Sequence, residues 1–589
     1  MKSRYILNNN SVLFIFFSAI LYNNIFYDSY QAVKAFGFLI ITIFILILFL
    51  SDNNKIIIDF SFLTALCLYL YFFLHVILSD NAASFYYLFV FLSPVVFFIP
   101  LLYKINKNKL SLFLNIILLS SLLYGFSQII IPEIKRPYSF FGNPIFFGEF
   151  ICILFPFAIF NLINKKFKII SIINISFVPV ILLYCHSRGV LLSFFFSFIL
   201  LVIMLAKSGM IKHFANRNVI YILIVFILIV IFTPGIIKTI GTFVTKIESS
   251  FQIDNPDILR RVILLKSSIK IFLANPFFGT GPGGLKKLLQ LKESEFLQKN
   301  DSLPFVNSSY SHNDYLQILS ETGVIGIILF ISLIFFVFYK IEKNILFYNN
   351  TDYIFIICIS CSILFIIIES VFNFPLFIFP SCMLFYFFLG LLNSNLFINK
   401  SVFKYYAKSK LIIIIILLPL IFIFMKDIKK FTANIYLSSA IKQTYSNTEK
   451  AEILFKKSIS LDLKNYYNLI NFAIFYFNEK KYDLSLKYFN TALLFSPNSA
   501  DIYYNIGVIY EQNKEYKKSL NNYKMALFFY PGFAPANYAV YRILSQINSD
   551  NENDYLYFLY RAVKSDPDLI KQKNISPFLL KEATFEFIN

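Results

Sequence analysis

Hydrophobic residues run through this chain in long unbroken blocks rather than in alternating patterns. Stretches such as FGFLIITIFILILFL and LIIIIILLPLIFIF approach the roughly 20 residues that a helix needs to cross a bilayer core of about 30 Å. Thirteen such blocks are expected to be helical spans, near 11–27, 34–50, 56–78, 84–102, 110–131, 145–161, 168–185, 189–206, 219–234, 321–339, 353–371, 375–393 and 410–425. A membrane β-barrel would alternate apolar and polar positions, which excludes that class. The first block follows MKSRY without a cleavage-site pattern, so it reads as a retained span. The polar stretches are short, except for a loop over about 235–320 and a tail from about 426.

Composition supports a polytopic helical membrane protein. Of 589 residues, 58% are hydrophobic, 75 are Phe and only 15% are charged, against about a quarter in soluble domains. The net charge of +20 could suggest nucleic acid, but its distribution argues otherwise. One set of loops holds eighteen Lys and Arg, among them Lys55, Lys104, Lys166, Lys207, Lys340 and Lys404. The alternate short loops hold four: Lys34, Lys135, Arg136 and Arg188. Positive loops stay inside, so the N-terminus is expected inside, with the long loop and the tail outside. The six cysteines fall in or beside apolar runs, which suits packing or lipid contact better than a disulfide framework or zinc site.

The tail has a 34-residue period. Tyr503, Ile506, Gly507, Tyr510, Ser519, Tyr523, Ala526 and Pro531 repeat the positions of Leu469, Phe472, Ala473, Tyr476, Ser485, Phe489, Ala492 and Pro497. Small residues let two helices cross closely, aromatics fill the groove, and Pro stops the second helix. The pattern resembles the tetratricopeptide repeat. Weaker units keep Ala451 and Phe455 on one side, and Ala562 and Pro567 on the other. The expected organisation is therefore all-α: a polytopic membrane helix bundle over 1–425 and a tetratricopeptide-repeat α-solenoid over 430–589. Such a solenoid more often binds a protein or peptide than catalyses.

Three outside-facing segments carry candidate chemistry. SRGVLLSF places Arg188 at a span end, four residues before Leu192. RRVILLKSSIKIFLANPFFGTGPGGL sets Arg260 and Arg261 a helix-length before a glycine-rich turn. SHNDYLQILSETGVIG holds His312, Asn313, Glu321, Gly323 and Gly326. Arginine offers a permanently charged planar fork for phosphate oxygens. Histidine, with an ordinary pKa of about 6.5, suits proton transfer near neutrality. Together they fit a lipid diphosphate bearing a sugar at headgroup level.

These segments resemble the O-antigen ligase superfamily: lipopolysaccharide O-antigen ligases, O-antigen polymerases and bacterial O-linked protein oligosaccharyltransferases. The resemblance runs over roughly 120–395 and includes YSFFGNPIFFGEF and NFPLFIFPSCMLFYFFLGLL. The family's His-Asn-x9-Gly-x2-Gly pattern falls on His312, Asn313, Gly323 and Gly326, and its Arg-x3-Leu pattern on Arg188 and Leu192. The resemblance implies that Arg188 and Arg261 hold the diphosphate of an undecaprenyl-linked glycan and that His312 activates a hydroxyl acceptor, without a metal ion or other cofactor. It also implies the bacterial cytoplasmic (inner) membrane, with the site on the periplasmic face. The family's Trp four residues after the second arginine is Leu265 here, and Arg260 competes with Arg261 for that role. Arg136 and His186 are supporting candidates by position.

Blander readings compete. His312 could belong to a helix cap with Asn313 or Ser311. Arg188 could only anchor its span to headgroups. Asp314 and Glu321 would favour a helix dipole, Glu321 alternatively meeting the acceptor. His75 reads as a hydrogen-bonded packing residue and His213 as solvated. GTGPGG lacks the Lys-Ser/Thr ending of a P-loop and reads as a turn. The leading expectation is a ligase acting on lipid A core or a similar acceptor. Within the superfamily the alternatives are a polymerase and a protein glycosylating enzyme. A transporter of lipid-linked sugars would carry charges buried in mid-span and internal repeats of spans, and neither is read here. A tethered scaffold working only through its repeats is the remaining alternative.

Overall fold

The computed structural model describes residues 31–49, 55–78, 90–102, 105–131, 134, 136–209, 216–233, 235–248, 255–298, 308, 310–344, 348, 350–394, 405–547, 552–566, 568 and 572–573. The expected first span at 11–27, with Lys2 and Arg4 before it, lies outside these residues. The membrane part runs through α1 (Gln31–Phe49), β1 (Lys55–Ile58), α2 (Phe60–Leu78), α3 (Val90–Leu102), α4 (Lys107–Ile130), α5 (Pro144–Ile163), α6 (Lys168–Cys185), α7 (Arg188–Lys207) and α8 (Asn216–Phe232). The long loop folds as α9 (Ile236–Glu248), α10 (Pro256–Ala274) and α11 (Gly284–Leu297). The chain then returns through α12 (Asp314–Asn344), α13 (Asn350–Phe372), α14 (Phe379–Asn393), β2 (Tyr405–Lys408) and α15 (Ser409–Gln443).

Among the described residues, eight helices are long and apolar enough to cross a bilayer: α2, α4, α5, α6, α7, α12, α13 and α15. Polar side chains cap several of them. Asn106 accepts from Asn108 N and Lys109 N at the start of α4, and Asn143 from Ile145 N before Pro144 opens α5. The bundle is centred on α5, which is buried along most of its length and packs against α4, α6 and α13. Outward faces stay apolar, as at Phe195 and Phe196 on α7, Ile331 and Phe335 on α12, and Leu418 and Phe422 on α15. That is the surface a lipid solvent requires.

The architecture is helical, as the sequence pattern suggests, with one small departure. β1 pairs antiparallel with β2 over four residues each, Lys55 opposite Lys408. Nearby, Lys340 Nζ meets the Asp59 carboxylate and donates to Asn393 Oδ1 at 2.6 Å. These are all positions that the charge count puts on one side. The expected span at 321–339 is a longer helix broken at Gly323.

α15 continues without interruption from the apolar run, through Pro419, into the first helix of the tail. It packs against α16 (Thr448–Leu461). Further antiparallel pairs are α17 (Tyr466–Asn478) with α18 (Tyr482–Phe495), α19 (Ala500–Gln512) with α20 (Tyr516–Phe529), and α21 (Ala534–Gln546) with α22 (Glu552–Ser565). The repeat residues do the same work in each pair. Ser485 Oγ donates to Ala473 O at 2.7 Å, and Ser519 Oγ to Gly507 O at 2.8 Å, pinning helix to helix. A Cβ at Gly507 would lie 2.7 Å from the Tyr523 ring, so the close crossing excludes a larger residue.

Candidate functional site

The three polar segments meet at one end of the bundle. Arg188 is the first residue of α7, Arg261 lies in the second turn of α10, and His312 precedes α12. α10 begins with Asn255, whose side chain accepts from Asp257 N at 2.9 Å, and with Pro256 at its first position. Asp257 accepts from Arg188 Nη2 at 3.1 Å and so ties the start of α10 to the start of α7. Arg188, Gly189, Leu192, Asp257, Ile258, Arg261 and Phe372 line a pocket of about 180 Å³.

Arg260 and Arg261 separate within this frame. Arg261 faces the pocket, where Arg188, Glu369 and Asp257 act on it electrostatically. Arg260 turns towards Glu293 of α11, although it too acts on His312. Burial lifts the Glu293 carboxyl to about 8 against the pull of Arg260. Burial lowers both arginine pKa values, but a guanidinium starts so high that both stay cationic near neutrality.

His312 has a left-handed φ of 54°. The capping role falls to its neighbour: Asn313 Oδ1 accepts from Leu316 N at 2.9 Å, and Asn313 Nδ2 donates to Val371 O of α13 at 3.1 Å. Capping therefore does not consume the imidazole. Its ring stands edge-on to Phe374, with centroids 5.0 Å apart, and Phe374 stacks on Tyr310 at 4.2 Å. Asn373 is a hydrogen-bond partner of the imidazole. The Asn373 amide nitrogen donates to the Glu369 carboxylate, whose other oxygen accepts from Ser193 Oγ at 2.6 Å. His312 Nδ1 itself is buried without a hydrogen-bond partner. His312 is held down to about 4, first by burial and then by the charges of Arg261 and Arg260. Near neutrality it is an uncharged base with a bare nitrogen.

The helix break explains the glycine spacing. Gly323 takes φ 68°, ψ −171°, a conformation essentially confined to glycine. The loop after α10 crosses this break. Thr280 N donates to Ser320 O and Gly281 N to Glu321 O, both at 2.9 Å, while Val324 N donates to Pro276 O at 2.8 Å. Tyr71 OH caps Thr322 O at 2.7 Å, and His75 Nε2 lies 2.7 Å from Phe278 O. The carbonyls orphaned by the break are thus paired, as a buried backbone requires.

Of the remaining sequence candidates, Arg136 caps the end of α6, donating from both Nε and Nη2 to Cys185 O. A guanidinium there also suits the helix dipole. His186 has a positive φ of 49° and joins α6 to α7. Neither it nor Arg136 lines the pocket among the described residues. Glu321 is fully buried at the break rather than at the helix start. Sequence reading missed Glu369, Asn373 and Asp257. It also expected no charges within spans, yet Glu149 in α5 and Glu369 in α13 are fully buried. A carboxylate inside an apolar run such as IIIESVFNF is itself a functional signal, and it could have found Glu369.

This is a multi-span helical membrane protein with an arginine-lined pocket beside a buried histidine. Residues 172–331 match the family model of O-antigen ligase, which covers α7, α10, the glycine-rich turn and the histidine segment. One chain therefore joins a segment that matches the O-antigen ligase model to a helical-repeat tail. No curated protein matches it. Solved structures with some similarity include MamA, at 16% identity over 25% of this chain and 85% of that one, with a TM-score of 0.22. The Pseudomonas aeruginosa protein pilF aligns at 15% identity over 29% and 88%, with a TM-score of 0.20. Yeast Tom70 aligns at 14% over 74% and 84%, with a TM-score of 0.23. At these scores none of the three bears on what the chain does.

Proposed function

We propose that this protein is a glycosyltransferase of the O-antigen ligase type, moving a glycan from undecaprenyl diphosphate to a hydroxyl acceptor on the periplasmic face of the inner membrane. One observation carries the reading: Arg188 and Arg261 line a single pocket, and His312 stands near enough for the Arg261 charge to act on it. In the proposed step the acceptor hydroxyl oxygen attacks the anomeric carbon and its proton passes to the neutral imidazole of His312. The bond from that carbon to the phosphate oxygen breaks, and the diphosphate leaves with the electron pair. The two guanidinium groups stabilise the growing negative charge, the kind of preorganised electrostatics that usually contributes most to such catalysis. Attack opposite the leaving group inverts the anomeric centre. Asn373, held by Glu369, orients the imidazole. The charge to be stabilised is met by arginine, and no step calls for a metal. In this reading residues 1–425 form the transferase and 430–589 the repeat module.

The test is transfer in membranes containing the lipid-linked glycan. His312→Ala is expected to cost about 10²–10⁴-fold, the usual contribution of an acid–base group. Wild-type rates in that variant would sink the proposal and favour a scaffold. Mass analysis of surface glycans in a deletion strain separates the acceptors: unlinked chains indicate a ligase, single units a polymerase, and unmodified proteins an oligosaccharyltransferase.

A further inference from the structure

The repeat tail does not stand apart from the site. α11 packs one face against α10 through Leu264, Ile271, Leu285 and Leu289, all buried. Its other face lies on the edge of the solenoid formed by the turns between repeats. Leu291 inserts into the cluster of Ala500, Ala526 and Phe529. Lys286 Nζ donates to Tyr467 OH at 3.3 Å, with its charge 5.1 Å from that ring's centre. Asn498 Nδ2 donates to Lys287 O at 3.3 Å, and Gln298 Nε2 to Phe528 O at 3.2 Å. These contacts reach the starts of α17 and α19 and the end of α20, so α11 spans more than one repeat.

We propose that this edge of the solenoid has the protein's own loop helix as its partner, and that the tail thereby fixes α10 and the position of Arg261 in the pocket. The partner chemistry is that of an amphipathic basic helix, GLKKLLQLKESEFL, with Leu291 as the apolar anchor and Lys286 over the tyrosine pair. An edge so occupied is a positioning device for the pocket. Any external ligand of the repeats must then use another face or displace α11. The proposal rests on the diphosphate-binding reading of the pocket only for its consequence, not for the contact itself.

Two measurements on the full-length protein in membranes, with the exposed Cys67 replaced by Ser, test it. First, the pair Lys287→Cys and Asn498→Cys is expected to cross-link under mild oxidation, and adding Leu291→Asp to reduce the cross-link several-fold. Second, Ile258→Cys at the pocket wall is labelled with a water-soluble maleimide, with inorganic diphosphate as the protecting probe. Leu291→Asp is expected to change the labelling rate and raise the half-protecting diphosphate concentration about tenfold. Failure to cross-link overturns the contact. A cross-link weakened by Leu291→Asp with labelling and protection unchanged overturns the positioning role. Absence of any diphosphate protection in the parent protein counts against the functional reading instead, and the labelling rate alone then decides the positioning.

Discussion

At the residue scale, the neighbours of His312 set the form in which it works. Its pKa of about 4 has burial as the larger cause and the Arg261 and Arg260 charges as the next. The imidazole accepts a proton only when neutral, so kcat/KM should hold down through pH 6.5 and fall only as pH approaches 4. Arg261→Gln removes one lowering charge, so the histidine rises towards 6.5 and the acid limb moves to higher pH, on top of a loss of rate. A pH profile of both proteins between 4 and 8 checks this, and an unmoved limb in the variant would place Arg261 away from the base. Arg260→Gln should differ in kind. It removes the charge that acts on Glu293 across α10 and α11, so thermal stability in detergent should change more than transfer does. The sequence could not distinguish the two arginines, because they are adjacent and identical in type. Their roles diverge by about 100° of helix rotation, which only a packed α10 turns into pocket on one side and α11 on the other.

At the element scale, the break in α12 is the feature that assembles the site. A Cβ at Gly323 would fall 2.1 Å from Phe277 O and 2.6 Å from Phe278 N, and backbone atoms cannot swing away. Gly323→Ala also adds backbone strain on the order of 1–3 kcal/mol. It should lower the Tm and abolish transfer together, because the crossing loop is the continuation of the arginine helix. Gly326→Ala meets Thr322 Oγ1 at 1.9 Å and Thr322 Cβ at 2.4 Å. The hydroxyl can rotate away, giving up its 2.7 Å bond to Ile318 O, and the Cβ clears with a small helix shift, but no positive φ adds strain at 326. Its Tm loss should be the smaller of the two, and the reverse order would mean the break is not what holds the loop. The glycine spacing was legible in the sequence, but its reason was not. Periodicity reports apolar faces, whereas the crossing of loop and break depends on hydrogen bonds between residues some forty positions apart, such as Thr280 N to Ser320 O. The same limit hid Asn373 and Asp257, which look like ordinary turn and cap residues until α7, α10 and α13 are brought together. The spans and repeats, by contrast, are written locally, in apolar length and in a 34-residue period, and both can be read before any contact is known.

At the scale of the whole molecule, the polar groups sort to two ends as the loop charges do. Asp59 with Lys340, Lys107 with Asp352, and the β1–β2 ladder gather positions assigned inside. Arg188 with Asp257, and Asn313 with Val371, gather positions assigned outside. The contact of α11 with the tail places the repeats on the side of the pocket without any count of spans. A single accessibility experiment therefore reports the side of the pocket itself. In the Cys67→Ser protein, Tyr445→Cys provides a probe in the turn between α15 and α16, where Tyr445 is 92% exposed. Lys166→Cys provides one in the exposed turn between α5 and α6, at the opposite end. A membrane-impermeant maleimide added to cells with a permeabilised outer envelope should label position 445 at once, and position 166 only after the inner membrane is broken. The reverse pattern would open the pocket to the cytoplasm. That would remove the periplasmic acceptor on which the proposed transfer depends, while leaving the convergence of Arg188, Arg261 and His312 unexplained.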